Sequence, residues 1–270
     1  MTDPFQNVSA AGTEFIEVFA RQLEVRAAEP AMVAIVEAYL DDLPWDKISL
    51  AVEVGCGTGP VARRLAARSS RARVLGIEPS PELLDHARRL AEGIGNLTFE
   101  TGDGAALPLG DATVDAIVFH TVLCHVVSPA ELLAEAIRVL RPGGTLVVCD
   151  ADFSKASLAS FDFDPLQACA DFFVANYVTD RYLVAKLRSL VRDAGFKLEH
   201  FRIMSRTVTD ADGMLVWARL GSAMMLGHGG IGQPLAEALA GEYERRKLAG
   251  TLYGHLPFAT LIATQVERGG

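Results

Sequence analysis

Three acids and a run of glycines fall at intervals that suit a nucleotide-binding turn. Ala51-Val52-Glu53-Val54-Gly55-Cys56-Gly57-Thr58-Gly59-Pro60 sets Glu53 near the end of a short apolar run and then places three glycines spaced by two. Glycine lets the backbone approach a ligand where any Cβ would collide with it, and the helix that follows presents unpaired backbone N–H groups. A second acid, Glu78, closes Ala72-Arg73-Val74-Leu75-Gly76-Ile77-Glu78. In an open α/β sheet a carboxylate at that strand tip meets the hydroxyls of a ribose. A third acid stands in Gly102-Asp103-Gly104-Ala105. The dinucleotide fingerprint Gly-x-Gly-x-x-Gly would need glycine at position 60, where this chain has Pro60. Proton transfer near neutral pH points to histidine. His120 and His125 follow a fourth apolar run, His228 lies among glycines and His255 precedes the last apolar run, with Asp150 and Asp152 as rival bases.

The elements that must hold these residues follow from apolar spacing and from Gly and Pro punctuation. Residues 12–43 read as two helices, the second carrying Val33, Val36, Tyr39, Leu40 and Leu43 on one face. Strands are expected around 51–54, 72–78, 96–100, 112–120, 145–150, 196–208 and 258–266. Ser80-Pro81 and Asp164-Pro165 open helices, Thr179-Asp180 opens another, and Ser128-Pro129-Ala130-Glu131 reads as a capping box. Roughly forty residues separate the last two strands, too many for a hairpin and long enough for a helical lid at about 209–250. The expected organisation is one domain over 1–270, with a helical cap at 1–45, a cofactor half at 46–150 and a substrate half at 151–270.

With a formal charge of −9, the chain has no basic field for nucleic acid or an anionic membrane. The polar, acidic start Met1-Thr2-Asp3-Pro4 carries no basic-then-apolar signal, and no apolar run reaches spanning length, so a cytoplasmic protein with no membrane partner is expected. Cys56, Cys124, Cys149 and Cys169 form no paired spacing and read as core thiols, and no metal site is expected.

The stretch 51–150 resembles the ubiquinone/menaquinone-biosynthesis-type branch of the S-adenosylmethionine (SAM)-dependent methyltransferases. Five segments carry the resemblance in order: Glu53 to Gly59, Gly76-Ile77-Glu78-Pro79-Ser80, Gly102-Asp103, Val122-Leu123-Cys124-His125-Val126, and Arg138-Val139-Leu140-Arg141-Pro142-Gly143-Gly144. It implies an α/β Rossmann-like fold with a seven-stranded mixed sheet in the order 3-2-1-4-5-7-6, helices on both faces, N-terminal cap helices and a helical insertion between strands 6 and 7. It implies SAM as cofactor, S-adenosylhomocysteine (SAH) as product and no metal. The implied cofactor residues are Arg26, Glu53, Gly55, Cys56, Gly57, Glu78, Pro79, Asp103, Gly104, Ala105 and His120. Glu53 faces the methionine end, Glu78 the ribose and Asp103 the adenine amino group, with the next backbone N–H groups meeting the ring nitrogens. Arg26 pairs with the methionine carboxylate or is a solvated helix-face arginine. His125, in the loop expected to border the methyl group, is the candidate catalytic base, the alternative being a histidine that packs the loop. The expected acceptor is a small, largely apolar molecule, and a homo-oligomer is compatible with the sequence. Two other readings stand beside methyl transfer: a SAM-scaffold protein that no longer methylates, acting as a cyclase or binding module, and a nicotinamide oxidoreductase, which Pro60 and the lack of a Tyr-x-x-x-Lys pair disfavour.

Overall fold

The computed structural model of the chain describes residues 3–6 and 8–266. Two short turns of 3-10 helix, Pro4–Gln6 and Val8–Ala11, lead into α1 (Thr13–Ala28) and α2 (Pro30–Asp41). The alternating half follows: β1 (Leu50–Val54), α3 (Pro60–Arg68), β2 (Arg73–Glu78), α4 (Pro81–Leu90), β3 (Leu97–Thr101), β4 (Val114–His120), α5 (Pro129–Val139) and β5 (Leu140–Ala151). Beyond it come α6 (Pro165–Tyr177), α7 (Leu183–Asp193), β6 (Phe196–Val208), α8 (Leu215–Gly227), α9 (Gln233–Leu248) and β7 (Gly254–Gln265).

The seven strands form one sheet in the order β3-β2-β1-β4-β5-β7-β6, as expected. The first five are parallel, and β7 runs antiparallel between β5 and β6. Ala51, Val52 and Val54 of β1 and Ala116 to Phe119 of β4 are buried, the near-continuous apolar run of strands covered on both faces. Strand order reverses between β1 and β4, so their carboxyl ends splay apart and leave a crevice.

Several local expectations need correction. Ser128 starts α5 without a side-chain cap, and only its carbonyl accepts, from Glu131 N–H at 3.2 Å. The first turn of α7 begins at Leu183, not beside Thr179-Asp180, because Asp180 accepts from Tyr182 N–H at 3.0 Å in a local turn and delays the helix. Val36, Tyr39, Leu40 and Leu43 are buried as expected, Val33 is half-buried, and Met32 and Ile35 widen the buried face of α2. Strands β5 and β7 are longer than their apolar runs, since β7 pairs with β6 from Gly254 onward.

Behind the crevice, a buried ion pair ties the cap to the sheet. Arg206 of β6, 1% exposed, reaches Glu29 between α1 and α2 through Nε–Oε2 at 2.6 Å and Nη2–Oε1 at 2.8 Å, and Nη2 also donates to the Gly213 carbonyl at 2.9 Å. The helical insertion is seated tightly: a Cβ on Gly221 of α8 would lie 2.0 Å from the Cys169 carbonyl oxygen of α6.

Candidate active site

A cavity of about 450 Å³ opens at the carboxyl ends of β1, β2 and β4. Helix α1 covers it through Phe19, Leu23 and Arg26, and the N-terminal segment crosses it through Gln6 and Val8. At its floor Gly55 (φ +71°) and Gly57 (φ +54°) adopt backbone conformations that side chains strain against. A Cβ would meet Val122 Cγ2 at 2.6 Å from Gly55 and Leu23 Cδ1 at 2.8 Å from Gly57.

The two strand-tip acids sit in this floor under different conditions. Glu78 is 6% exposed and structurally engaged: Oε2 accepts from Gly57 N–H at 2.9 Å and Oε1 from Ser80 N–H at 3.1 Å. Burial raises its pKa, and those two N–H groups oppose the rise. Glu53 is 2% exposed, and its Oε2 has no hydrogen-bond partner among the described residues. Burial pushes its carboxyl well above the usual carboxylate range, with the Ala62 N–H and Arg63 pulling back. In the same cavity the Arg26 guanidinium makes no hydrogen bond or ion pair among the described residues, and burial, then the charge of Arg206, lowers it to about 10. An acid and a cation thus share one cavity without being spent on each other.

At the strand-order reversal Thr121 follows β4 with φ +58°, an outlier for a β-branched residue, and its buried Oγ1 has no partner among the described residues. His120 lines the cavity with Nδ1 3.2 Å from Tyr39 Oη, and burial, then Arg26, depresses it to about 3. That depression favours the neutral ring, which faces the cavity with Tyr39 on Nδ1. His125 lines the far side. Its Nδ1 lies 2.9 Å from Asp3 Oδ2, and its ring meets Phe153 edge-on at 6.1 Å. From there a line of aromatic rings continues through Phe153, Trp217 and Phe173 to Tyr177, with Trp217 and Phe173 stacked at 5.1 Å and 14°. Val216, Leu220, Leu256 and Phe258 complete an apolar wall.

Of the residues singled out from sequence, Arg26, Glu53, Gly55, Cys56, Gly57, Glu78, Pro79, Asp103, Gly104, His120 and His125 all line this cavity. Ala105 is not among the lining residues, and its N–H donates to Asp103 Oδ1 at 2.9 Å. The Cys56 thiol is held far above its ordinary range by burial, then by Glu53 and Glu78, and contributes shape, not reactivity. The rival bases lie elsewhere. Asp150 is fully buried and accepts from Leu123 N–H at 3.0 Å, Asp152 accepts from Ser154 N–H at 3.2 Å, His255 lies 3.1 Å from Ser205 Oγ, and His228 sits against Phe172. Phe161 and Phe163 are exposed and Phe172 stands outside the cavity, whereas Phe153 and Phe173 line it. All four cysteines are free and buried, and among the described residues no group of three or more His, Cys, Asp or Glu could hold a metal ion. No helix of the described residues is long and apolar enough to cross a membrane.

Residues 52–148 match the family described as a methyltransferase domain. The chain is 33% identical over 197 residues to the demethylmenaquinone methyltransferase of Tropheryma whipplei, covering 63% of this chain and 80% of that protein. It belongs to the SAM-dependent methyltransferase family. An uncharacterised 37.1 kDa protein in transposon TN4556 of Streptomyces fradiae is 35% identical over 176 residues, 65% of this chain and 50% of that one. The chain spans about half the length of some of the curated relatives it matches, this one among them. Among solved structures, the [4+2]-cyclase SpnF aligns with a TM-score of 0.57 at 22% identity, over 86% of this chain and 81% of that one, a likeness of fold. The methyltransferase sheet and its glycine turn were thus legible in sequence. The apolar wall was missed, because Val216, Trp217, Leu220, Leu256 and Phe258 come from segments outside the five motifs. Trp217, inside an otherwise aliphatic helix, was the one visible signal.

Proposed function

We propose that this methyltransferase binds SAM with its amino-acid end between Glu53 and Arg26 and moves the methyl group, without a metal, to a small and largely apolar molecule. The observation that carries the reading is a buried acid and a half-buried guanidinium of opposite charge that share one cavity without being spent on each other. An isolated buried carboxylate costs several kcal/mol unless partnered, and a half-buried guanidinium in the same cavity gains from a charge-assisted bond to a carboxylate. A zwitterion with an ammonium for Glu53 and a carboxylate for Arg26 satisfies both, whereas a nicotinamide dinucleotide has no ammonium and carboxylate side by side to do so.

The remaining cradle suits an adenosine. Each oxygen of Glu78 already accepts one backbone N–H, which fixes the carboxylate's orientation and leaves lone pairs for ribose hydroxyls. Asp103, turned outward at the mouth with Ala105 N–H on one oxygen, keeps the other for an exocyclic amine. Gly104, expected together with Ala105, lines the cavity as backbone beside the ring. When bound, SAM supplies a methyl group on a sulfonium, an electrophile that needs a nucleophile aligned opposite the C–S bond. The chain's part is to orient the donor, exclude water and hold the acceptor in line. Phe153, Trp217, Phe173 and Phe258 form an apolar chamber, and their flat faces suit a ring or a short hydrophobic body. The net acidity of the chain supports a neutral small acceptor over a polyanion.

Calorimetry with SAM and SAH, run with and without EDTA, tests the donor half. The expected result is a dissociation constant of about a micromolar or tighter, unaffected by EDTA. Tight binding of NADH with none of SAM or SAH would overturn the reading.

A further inference from the structure

The N-terminal segment spans the cavity from one side to the other. At the cofactor side Ser9 Oγ donates to Glu82 Oε2 at 2.6 Å and lies 3.3 Å from Ser80 Oγ, at the start of α4. At the far side Gln6 Nε2 donates to Thr179 Oγ1 at 2.7 Å. Beyond Gln6 the segment turns inward, and Asp3, with its side chain 3% exposed, reaches the loop that carries His125. One oxygen, Asp3 Oδ2, lies 2.9 Å from His125 Nδ1, 3.1 Å from Thr179 N and 3.0 Å from Thr179 Oγ1. Thr179 Oγ1 is also 2.9 Å from the His125 carbonyl, so the threonine braces both partners.

A carboxylate accepts and does not donate, so the nitrogen facing Asp3 must carry the proton. That assignment leaves Nε2 as the lone-pair nitrogen of the neutral ring, on a residue that lines the cavity beside Phe153. Among the described residues, the charged groups around His125 include Asp3 from the N-terminal segment, Asp150 at the end of β5, and Asp180, which is paired with Lys186, from the loop before α7. Arg26 and Arg206 face the same cavity from α1 and β6.

We propose that Asp3 is a positioning residue for His125: when the N-terminal segment lies across the cavity, its carboxylate holds the imidazole in the Nδ1–H form with Nε2 as base for an acceptor whose attacking atom bears a proton, a hydroxyl foremost. The inference rests on the methyl-transfer reading. As the acceptor oxygen's lone pair takes the methyl carbon, the C–S electron pair returns to sulfur, the O–H proton passes to Nε2, and the imidazolium later gives it to water. The sulfonium's positive charge thus leaves as that proton, and atoms and charge balance. The arrangement ties the base to the segment that covers the cavity, because the residue that orients it lies on that segment.

The test is direct observation of the ring. Protein labelled with ¹⁵N-histidine and saturated with SAH gives long-range ¹H–¹⁵N spectra that separate the two neutral tautomers, and His125→Gln identifies the signals of His125. The expected wild-type result above the titration range is the Nδ1–H form. Asp3→Ala should lose that preference and show a substantial Nε2–H population, Asp3→Glu should restore part of it, and Ser9→Ala, which loosens the same segment without touching the histidine, should leave it intact. A wild-type ring in the Nε2–H form, or an Asp3→Ala spectrum identical to wild type, would overturn the proposal. Calorimetric SAH affinity, measured on the same samples, should stay within about threefold in Asp3→Ala. Loss of SAH binding by the wild type would instead strike the donor reading, so the two failures are distinguishable.

Discussion

Replacing Glu53 by glutamine should stabilise the free protein while weakening its grip on SAH, a pair of opposite signs that few surface or core substitutions produce. Glu53 is 2% exposed with Oε2 unpartnered, and burial raises its pKa well above the ordinary 4.5. An acid whose folded pKa is raised contributes stability that is whole below the unfolded value and is lost as pH rises through the folded one. Near pH 7 the native state therefore bears the cost of a buried carboxylate, or of keeping a proton on it. Glutamine has nearly the same shape, keeps an acceptor for the Ala62 N–H and removes that cost. The expected gain is about 1–3 kcal/mol at neutral pH, or several degrees in Tm for a chain of this size. It should shrink toward zero as pH falls to about 4.5, where the wild-type unfolded state is itself taking up the proton. Against this, a charge-assisted bond to the ligand ammonium, about 1.5–3 kcal/mol, disappears, so SAH affinity should fall roughly 10- to 150-fold. Chemical denaturation across pH and calorimetry read the two arms. 5′-Methylthioadenosine, which lacks the amino-acid end, is the control and should bind both proteins equally. A Glu53→Gln protein that is less stable than wild type at pH 7 and binds SAH unchanged would refute the reasoning.

Three further outcomes follow from the same geometry. Arg26→Met should weaken SAH by about tenfold or more and leave 5′-methylthioadenosine unaffected, as calorimetry would show, because the guanidinium is assigned to the ligand carboxylate alone. Arg206→Met should destabilise the fold by about 3–5 kcal/mol in urea titration by stranding buried Glu29, and adding Glu29→Gln should recover part of the loss. Gly221→Ala should cost about 1–3 kcal/mol or more, because its Cβ would sit 2.0 Å from the Cys169 carbonyl oxygen, and hydrogen exchange should quicken in α8 and α6 before the sheet.

What the sequence carried and what it did not divide along physical lines. The parallel half was legible because each strand, turn and helix leaves a local mark: apolar runs for β1 and β4, glycines where φ is positive at Gly55 and Gly57, an N-cap and proline at Ser80-Pro81. The strand-tip acids fall at intervals set by that βαβ geometry, which is why Glu53 and Glu78 reach the cavity together. Relations between distant segments leave no local mark. Asp3 meets His125 and Thr179 across 122 and 176 positions, and Arg206 meets Glu29 across 177. Periodicity cannot show such pairs. The choice among histidines was likewise a matter of tertiary surroundings: burial and Arg26 depress His120, while His125 lies beside Asp3 from the far end of the chain. Ala105 was carried over from a motif, and the turn closed by Asp103 spends its N–H locally.

The central claim is that this cavity moves a methyl group from SAM to a small apolar molecule. The most direct measurement incubates the protein with SAM labelled in its methyl group and, in separate reactions, a library of neutral aromatic and aliphatic small molecules, a tRNA mixture and a protein mixture, and quantifies both SAH and labelled product. The account predicts SAH formed in step with label on one or a few small molecules, at rates unchanged by EDTA. Label appearing in tRNA or protein in preference to any small molecule, or turnover abolished by EDTA and restored by magnesium, would contradict it.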